Sequence, residues 1–298
     1  MDKDVKVSIC CITYNHAKYI RQCLDGFVMQ KTNFAFEIII NDDCSTDGTT
    51  EIIQEYVKKY SNIIRPIFHS ENQFQKGIRG MYAKYVFPIA SGKYLALCEG
   101  DDYWTDPLKL QKQFDFMEAH PEYSLCFHPA YVMFEDNIPK ENLYRKWEDK
   151  DYSCLEILEQ WTIPTASAFY RREALKDEYL KISSNPDFLF GDIVLFTYLG
   201  QQGKIRCINT YMSVYRRNIK SVINIKHEGI EYIKHYAAMK SYIDKECKQF
   251  IKKKESQFYT AEGLYKLIRE KKIIGLFILL KGIMLSPKPL FNTIKNKF

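Results

Sequence analysis

Several things are missing from this 298-residue sequence, and each absence removes a class of protein. No apolar run reaches the roughly 20 residues needed to span a bilayer. The nine cysteines are scattered and odd in number, and no two make a C-x-x-C pair, so neither a zinc site nor a disulfide framework is indicated. Several of them sit inside apolar runs, as small buried hydrophobes do, and a reducing cytosol fits that usage. The six histidines show no metal-site spacing. The first strand pattern is followed by Tyr14-Asn15-His16-Ala17-Lys18 instead of G-x-G-x-x-G, which argues against a nicotinamide oxidoreductase. Met1-Asp2-Lys3-Asp4-Val5 puts acids ahead of a short apolar run, so no secretion leader is expected. Asp and Glu are absent from residues 271–298, which carry six lysines. The formal charge of +6 therefore belongs to that segment, and the rest of the chain balances. A nucleic-acid binder would spread its basic residues over the folded domain, so no nucleic acid is expected as a partner.

What is present is a 46% hydrophobic chain with alternating strand and helix patterns. Val5–Thr13 is a β-rich apolar run and reads as a buried strand. Ala17–Gln30 carries Ile20, Cys23, Leu24 and Phe27 at a helical period. Phe36–Asn41 is a second strand, followed by a helix to about Tyr60, a strand at Ile63–Phe68, a helix over roughly Arg79–Ala90, and a fourth strand at Tyr94–Cys98. Asp106-Pro107 has the chemistry of a helix start, with Asp as N-cap and Pro at the first helical position. Beyond this, Ser124–Phe134 reads as a strand, Trp161–Phe169 as a polar, aromatic loop entering a short strand, Asp192 as a helix start, and Ile205–Tyr215 as one or two strands. Residues 226–272 look helical and charged. Alternation of this kind means parallel pairing, with ligands beyond the carboxyl ends of the strands. Three polar clusters fall there: Tyr14-Asn15, Asp42-Asp43 and Asp101-Asp102.

Glu99-Gly100-Asp101-Asp102 packs three carboxylates into four residues at a strand end. Hard oxygens in a short loop suit Mg²⁺ or Mn²⁺, and an ordinary solvated turn has the same composition. Asp42-Asp43 with Ser45, Asp47 and Gly48 is equally open: it can be a helix entry, or Asp43 can accept from a nucleobase N–H with the ring of Tyr14 alongside.

Taken together, V-S-I-C-C-I-T-Y-N, F-E-I-I-I-N-D-D-C-S-T-D-G-T and A-S-G-K-Y-L-A-L-C-E-G-D-D-Y-W resemble glycosyltransferase family 2 in order, spacing and strand-end placement. The resemblance is strong over residues 5–120, weaker to about 220, and absent beyond. It implies an α/β fold of GT-A type, a Rossmann-like, mostly parallel sheet flanked by helices. It also implies an inverting, metal-dependent transferase that uses a nucleoside-diphosphate sugar. On that basis Asp43 is expected at the base and Asp102 at the metal and diphosphate with Asp101 beside it. Thr13, Tyr14, Asn15 and Arg79 complete the expected nucleotide-sugar contacts. The proton of the acceptor hydroxyl needs a carboxylate, which the family places near a helix start after the acceptor loop. Phe190-Gly191-Asp192 fits that place, and Asp192 could equally be only an N-cap. Trp104, Trp161 and Thr165 are candidates for the acceptor. The chain departs from the family twice. Tyr82-Ala83-Lys84 stands where Ala-Arg-Asn is common, leaving the choice among Lys76, Arg79 and Lys84 open. Tyr215-Arg216-Arg217-Asn218 stands where Y-R-x-H is common, so a histidine ligand to the metal is missing, while Arg216 or Arg217 could still offset leaving-group charge.

These features divide the chain into a catalytic domain over 1–225, with a nucleotide-sugar half (1–120) and an acceptor half (121–225), and a helical extension over 226–298. Ile273–Leu285 is almost wholly apolar, interrupted by Gly275, Lys281 and Gly282, with lysines around it. It is either a helix docked on the domain or an interfacial helix attracted to anionic lipid, and the second is favoured. The expected location is the cytoplasm, at the cytoplasmic face of a membrane, with a saccharide or lipid-linked saccharide as acceptor. The competing function is a non-catalytic module that binds a nucleotide sugar or a membrane partner.

Overall fold

The computed structural model describes residues 4–134, 147–160, 163–217 and 229–286, and the backbone of Asn142–Leu143. In chain order the elements begin β1 (Val5–Thr13), α1 (Ile20–Val28), β2 (Ala35–Asp42), α2 (Thr49–Lys59), β3 (Ile64–Phe68), β4 (Tyr94–Leu97), β5 (Tyr103–Trp104) and α3 (Lys109–Ala119). They continue with β6 (Tyr123–Phe127), β7 (Tyr131–Phe134), β8 (Asn142–Leu143), β9 (Asp151–Tyr152), α4 (Cys154–Gln160), β10 (Phe169–Arg171), α5 (Asp177–Ser183) and α6 (Gly191–Gly200). The chain then forms β11 (Lys204–Cys207), β12 (Ser213–Arg217), α7 (Gly229–Met239), α8 (Lys245–Ile268) and α9 (Ile274–Leu285).

An eight-stranded sheet runs β3-β2-β1-β4-β10-β6-β11-β9, and a smaller one runs β5-β12-β7-β8. β1 lies between β2 and β4 and is parallel to both. The expected parallel core is therefore present, with β10 inserted antiparallel between β4 and β6. β1 shows why the run had to be largely apolar; its buried Ser8 donates to Glu37 of β2 (2.6 Å). Val7, Ile9 and Cys11 point into the layer under α1, α2 and α3, while Cys10 points into the layer that holds α4 and α6. Successive side chains alternate between faces, so a strand covered on both sides has no polar face. Each fully buried aliphatic side chain contributes about 1.5–3 kcal/mol.

Three expectations change. Residues 79–90 do not form an α-helix: Gly80 takes φ +64°, a π-helical turn covers Tyr82–Val86, and a 3₁₀ turn at Phe87–Ile89 contains Pro88, which has no N–H to donate. The helix expected at Pro107 starts at Lys109, because Asp106 Oδ1 accepts the Leu108 N–H (2.8 Å) in a turn outside it. Ser124–Phe134 is two strands in different sheets, separated at His128-Pro129.

Among the described residues the helical extension joins the core of the sheet domain. Tyr236, Met239, Ile243, Cys247 and Ile251 share the core of β10 and α6. α9 is docked, and its partner is α8. Gly263, Gly275 and Gly282 set the distance: a Cβ on Gly263 would lie 2.5 Å from Leu279 N, and one on Gly275 2.5 Å from Leu267 N. Ser256 Oγ donates across the seam to the carbonyl of Gly282 (2.8 Å).

Candidate functional site

Because β1, β2 and β4 are parallel neighbours, their carboxyl ends form one edge, and the three polar clusters meet there. Asn15 and Cys44 adopt left-handed backbone (φ 55° and 62°), and the turns they make are laced together. Asn15 N–H donates to Ser45 Oγ (2.9 Å), and Thr46 N–H donates to Asn15 Oδ1 (2.8 Å). Asp42 accepts from Ser45 N–H (3.2 Å) and from the hydroxyls of Ser45 and Thr50, so it fastens this loop. Asp43 faces the other way and accepts from the backbone N–H groups of Gln73 (2.7 Å) and Phe74 (3.0 Å). The guanidinium of Arg79 lies over the Phe74 ring (4.6 Å). Asp43 and Arg79 thus border one loop, with Tyr14, 37% exposed, across the sheet edge. Thr13 is different: it is buried and its Oγ1 pairs with His16 Nδ1 (3.1 Å), so its side chain packs rather than faces a ligand. Lys76 is engaged with Glu71 on the surface, and Lys84 lies over the Tyr85 ring.

The acidic strap after β4 crosses very close to β1. Gly100 N–H donates to Ile12 O (3.0 Å), and a Cβ on Gly100 would sit 2.5 Å from Thr13 Oγ1. Asp101 and Asp102, expected to share the metal and diphosphate, sit in different surroundings. Asp102 is completely buried, and its Oδ1 accepts the Arg216 N–H (2.8 Å). Burial, and then the charges of Asp101, Cys98 and Glu99, push its carboxyl well above the usual range. A carboxyl with that environment anchors the strap. Asp101 is the partly open one, with Oδ2 at 3.9 Å from His16 Nε2. Arg216 clamps the strap from β12: its side chain donates to Asp101 O (2.5 Å) and to Gln22 of α1, and it stacks over Tyr103 (4.4 Å) and Tyr19 (5.1 Å). Through these bonds Arg216 ties the strap to α1 and β12.

Asp192 lies in the first turn of α6, and its charge is felt at Glu99 of the strap. Burial and then the negative charges of Asp101 and Asp192 push the Glu99 carboxyl up to about 8. Asp192 also acts on the buried Tyr179, whose hydroxyl is raised by burial first and then by that charge. Glu99 was counted among the three carboxylates of this loop in the sequence but was given no role of its own there; its signal is the E-x-D spacing to Asp101.

The aromatic candidates fare differently. Trp104 is a core ring, 2% exposed: its Nε1–H donates to Ala166 O (2.8 Å), Phe27 packs edge-on against it, and Lys109 lies over its face (4.0 Å). It has no free face for a sugar. Trp161 lies outside the described residues. Thr165 is half-buried in a 3₁₀ turn directly before Ala166. His128 is fully buried, and burial holds its imidazole well below the usual range.

Among the described residues no three side chains converge closely enough to cage a metal ion alone. The donor chemistry still suits a hard divalent cation. Mg²⁺ and Mn²⁺ take one or two carboxylates and fill their remaining positions with water and phosphate oxygen. Glu99 and Asp101 offer those carboxylates, and the burial and then the repulsion that raise Glu99 are what a cation would offset.

Comparison with known proteins follows the same lines. The model of glycosyl transferase family 2 matches residues 8–178. An uncharacterized protein of Mycobacterium tuberculosis is 40% identical over 218 residues, which is 72% of this chain and 60% of that protein. This chain therefore spans less than two thirds of the mycobacterial relative. A Bacillus subtilis glycosyltransferase named for teichuronic acid biosynthesis, TuaG, is 31% identical over 146 residues, 49% of this chain and 55% of its own. Among solved structures, S. aureus TarS 1-349 in complex with UDP-GlcNAc superposes with a TM-score of 0.64 at 17% identity, covering 93% of this chain and 79% of that one. At that identity the likeness is one of fold, and the fold is of GT-A type.

Proposed function

From the premise that this chain belongs to glycosyltransferase family 2, we propose that it moves a sugar from a nucleoside-diphosphate sugar to an acceptor hydroxyl, with inversion, in making a cell-envelope polysaccharide or lipid-linked glycan. The observation that carries this reading is the shared edge formed by the carboxyl ends of β1, β2 and β4, which brings Tyr14-Asn15, Asp42-Asp43 and the Glu99–Asp102 strap together. The name of TuaG supports the envelope setting.

In this reading Asp43 and Tyr14 hold the base, and Asn15 keeps the turn beneath it in shape. Arg79 stands on the diphosphate side. Glu99 and Asp101 would hold a Mg²⁺ or Mn²⁺ ion, which would offset the charge of the diphosphate. Asp102, Arg216 and Gln22 keep the strap in place. Asp192 accepts the proton of the acceptor hydroxyl as that oxygen attacks the anomeric carbon. The bond from that carbon to the diphosphate oxygen breaks, and the diphosphate leaves with the electron pair. Thr165 borders the acceptor side. The C-terminal helices bring the enzyme to the cytoplasmic face of a membrane, where a lipid-linked acceptor would lie.

The test is a thermal-shift screen of nucleoside diphosphates and their sugars with and without Mg²⁺ or Mn²⁺, followed by identification of the product anomer. A ligand at 100 times its Kd stabilises by about 2.7 kcal/mol, which such a screen resolves. Metal-dependent stabilisation by one nucleotide class is expected. Stabilisation by none would overturn the reading, and binding without transfer to any saccharide would favour a non-catalytic module.

A further inference from the structure

The α8–α9 hairpin inverts the usual rule of a folded surface. Its buried seam is made of small residues, with Ser256, Thr260 and Gly263 of α8 against Gly275 and Gly282 of α9. Its large apolar side chains point away: Ile273 is 75% exposed, Phe277 67% and Met284 85%, with Leu280, Tyr265 and Ile268 also exposed. In water, burying the large side chains and exposing the small ones would be favoured. Backbone contact through small residues, with large aliphatics outward, is how helices pack when the surrounding medium is itself apolar.

Charge and length narrow the occupant. Between residues 262 and 286 five basic residues (Lys266, Arg269, Lys271, Lys272 and Lys281) stand with two acids, Glu262 and Glu270. Lys271 and Lys272 lie in the turn between the helices, beside the exposed apolar residues that open α9. A basic rim around an apolar face complements an anionic lipid surface. The 12 residues of α9 measure about 18 Å, short of the roughly 30 Å hydrocarbon core, and no helix among the described residues is long and apolar enough to cross a membrane.

Extending the membrane reading given above, we propose that the hairpin is a preassembled lipid-docking unit. α9 is held on α8 by its glycine face, so that Ile273, Phe277, Leu280 and Met284 enter the boundary of an anionic bilayer while the lysines meet the headgroups. The helix lies in the interface and folds before it meets lipid.

The experiment uses full-length protein, vesicles of pure phosphatidylcholine, and vesicles containing about a third phosphatidylglycerol, the range in which each surface lysine contributes measurably. Co-sedimentation should show binding to the anionic vesicles and at least about tenfold weaker partition into neutral ones. F277S/M284S, which changes only outward side chains, should lower partition about tenfold or more with an unchanged melting temperature. Those fold changes follow from loss of apolar area that salt does not screen. F277W should show an emission blue shift on anionic vesicles, and L279W, at the seam, is the structural control. Absence of vesicle binding by the native chain, or binding unaffected by F277S/M284S, overturns the proposal. So does a concentration-dependent dimer in sedimentation velocity that F277S/M284S dissolves, because the occupant is then a second copy. Donor binding is measured on the same samples. Retained donor binding with no vesicle binding sinks this inference alone, whereas vesicle binding with no nucleotide affinity sinks the transferase reading and leaves the docking surface standing.

Discussion

The sheet edge and the C-terminal hairpin solve opposite problems. At the edge, charged and polar groups are taken out of water and given specific partners: Asp42 by Ser45 and Thr50, Asp43 by two backbone N–H groups, and Asp102 Oδ1 by Arg216, while the buried Asp102 Oδ2 accepts no hydrogen bond. At the hairpin, apolar groups are left outside and small residues are put within. Burying a carboxylate costs several kcal/mol unless hydrogen bonds offset it, so the edge depends on these bonds for its geometry. Across the seam of the hairpin Ser256 Oγ donates to the carbonyls of Gly282 and Ser286, and neither bond involves a carboxylate. The contrast predicts that substitutions at the edge act on chemistry and donor binding, while substitutions at the hairpin act on location.

The sharpest break of that contrast would come from Asp192. Asp192→Asn keeps shape and removes the proton acceptor, so turnover should fall about a hundredfold or more with donor affinity near normal. Single-turnover kinetics together with calorimetric donor titration separates the two quantities. Wild-type transfer by this variant would remove Asp192 from the chemistry.

The strap pair gives the next largest effect. Asp101→Asn should weaken metal-dependent donor binding by about tenfold or more, the worth of one anionic ligand. Asp102→Asn should leave it within a few-fold, since its carboxyl is buried and Oδ1 can still accept from Arg216. Asp102→Ala should instead destabilise by about 1–3 kcal/mol, because the Arg216 N–H loses its acceptor. Calorimetry and thermal melting distinguish these outcomes, and the reverse ranking would restore Asp102 as the metal-facing carboxylate.

Gly100→Ala tests whether the edge tolerates a shift. Its Cβ would meet Thr13 Oγ1 at 2.5 Å, and overpacking of this kind costs about 1–3 kcal/mol. A melting temperature lowered by several degrees, with weaker donor binding, is expected. An unchanged melt and donor affinity would mean that the strap moves freely over β1.

What could be read from the sequence follows from how local each cause is. β1 and β2 were legible to within a residue because a strand covered on both faces is mostly apolar in its middle, as in Ile9–Ile12 and Ile38–Ile40. The convergence of the three strand-end clusters was legible because parallel order dictates it, and this part of the chain belongs to the shown family. The assignment within Asp101-Asp102 was not. Two adjacent carboxylates look alike in sequence, and which one turns inward is decided by Arg216, 114 residues away. Trp104 was misplaced for the same reason, since the acceptor of its N–H is Ala166. The glycines of α9 were read as interruptions of an apolar run, and only α8 alongside makes them a contact face. The docked and interfacial alternatives posed for that helix were therefore not exclusive.

The smallest effect on the chemistry should come from removing residues 271–298. α8 enters the core through Cys247 and Ile251, near its start, and the part that α9 covers presents Ser256, Thr260 and Gly263. Uncovering small and hydroxyl-bearing groups costs far less than uncovering aliphatic ones, because water can replace the lost hydrogen bonds. The truncated chain should keep its cooperative melt within a few degrees, the scale set by about 1 kcal/mol in a domain of this size. It should bind donor as the full chain does, since Asp43, Glu99 and Asp101 lie in the first 120 residues. Transfer to a soluble acceptor analogue should be unchanged, while transfer to a lipid-linked acceptor in anionic vesicles should fall, because enzyme and acceptor no longer share a surface. Measuring both acceptors on one preparation checks the contrast directly. An equal loss on the two would mean that the hairpin supports the sheet edge after all, and a sharply lowered melt would mean that α9 stabilises the core through α8.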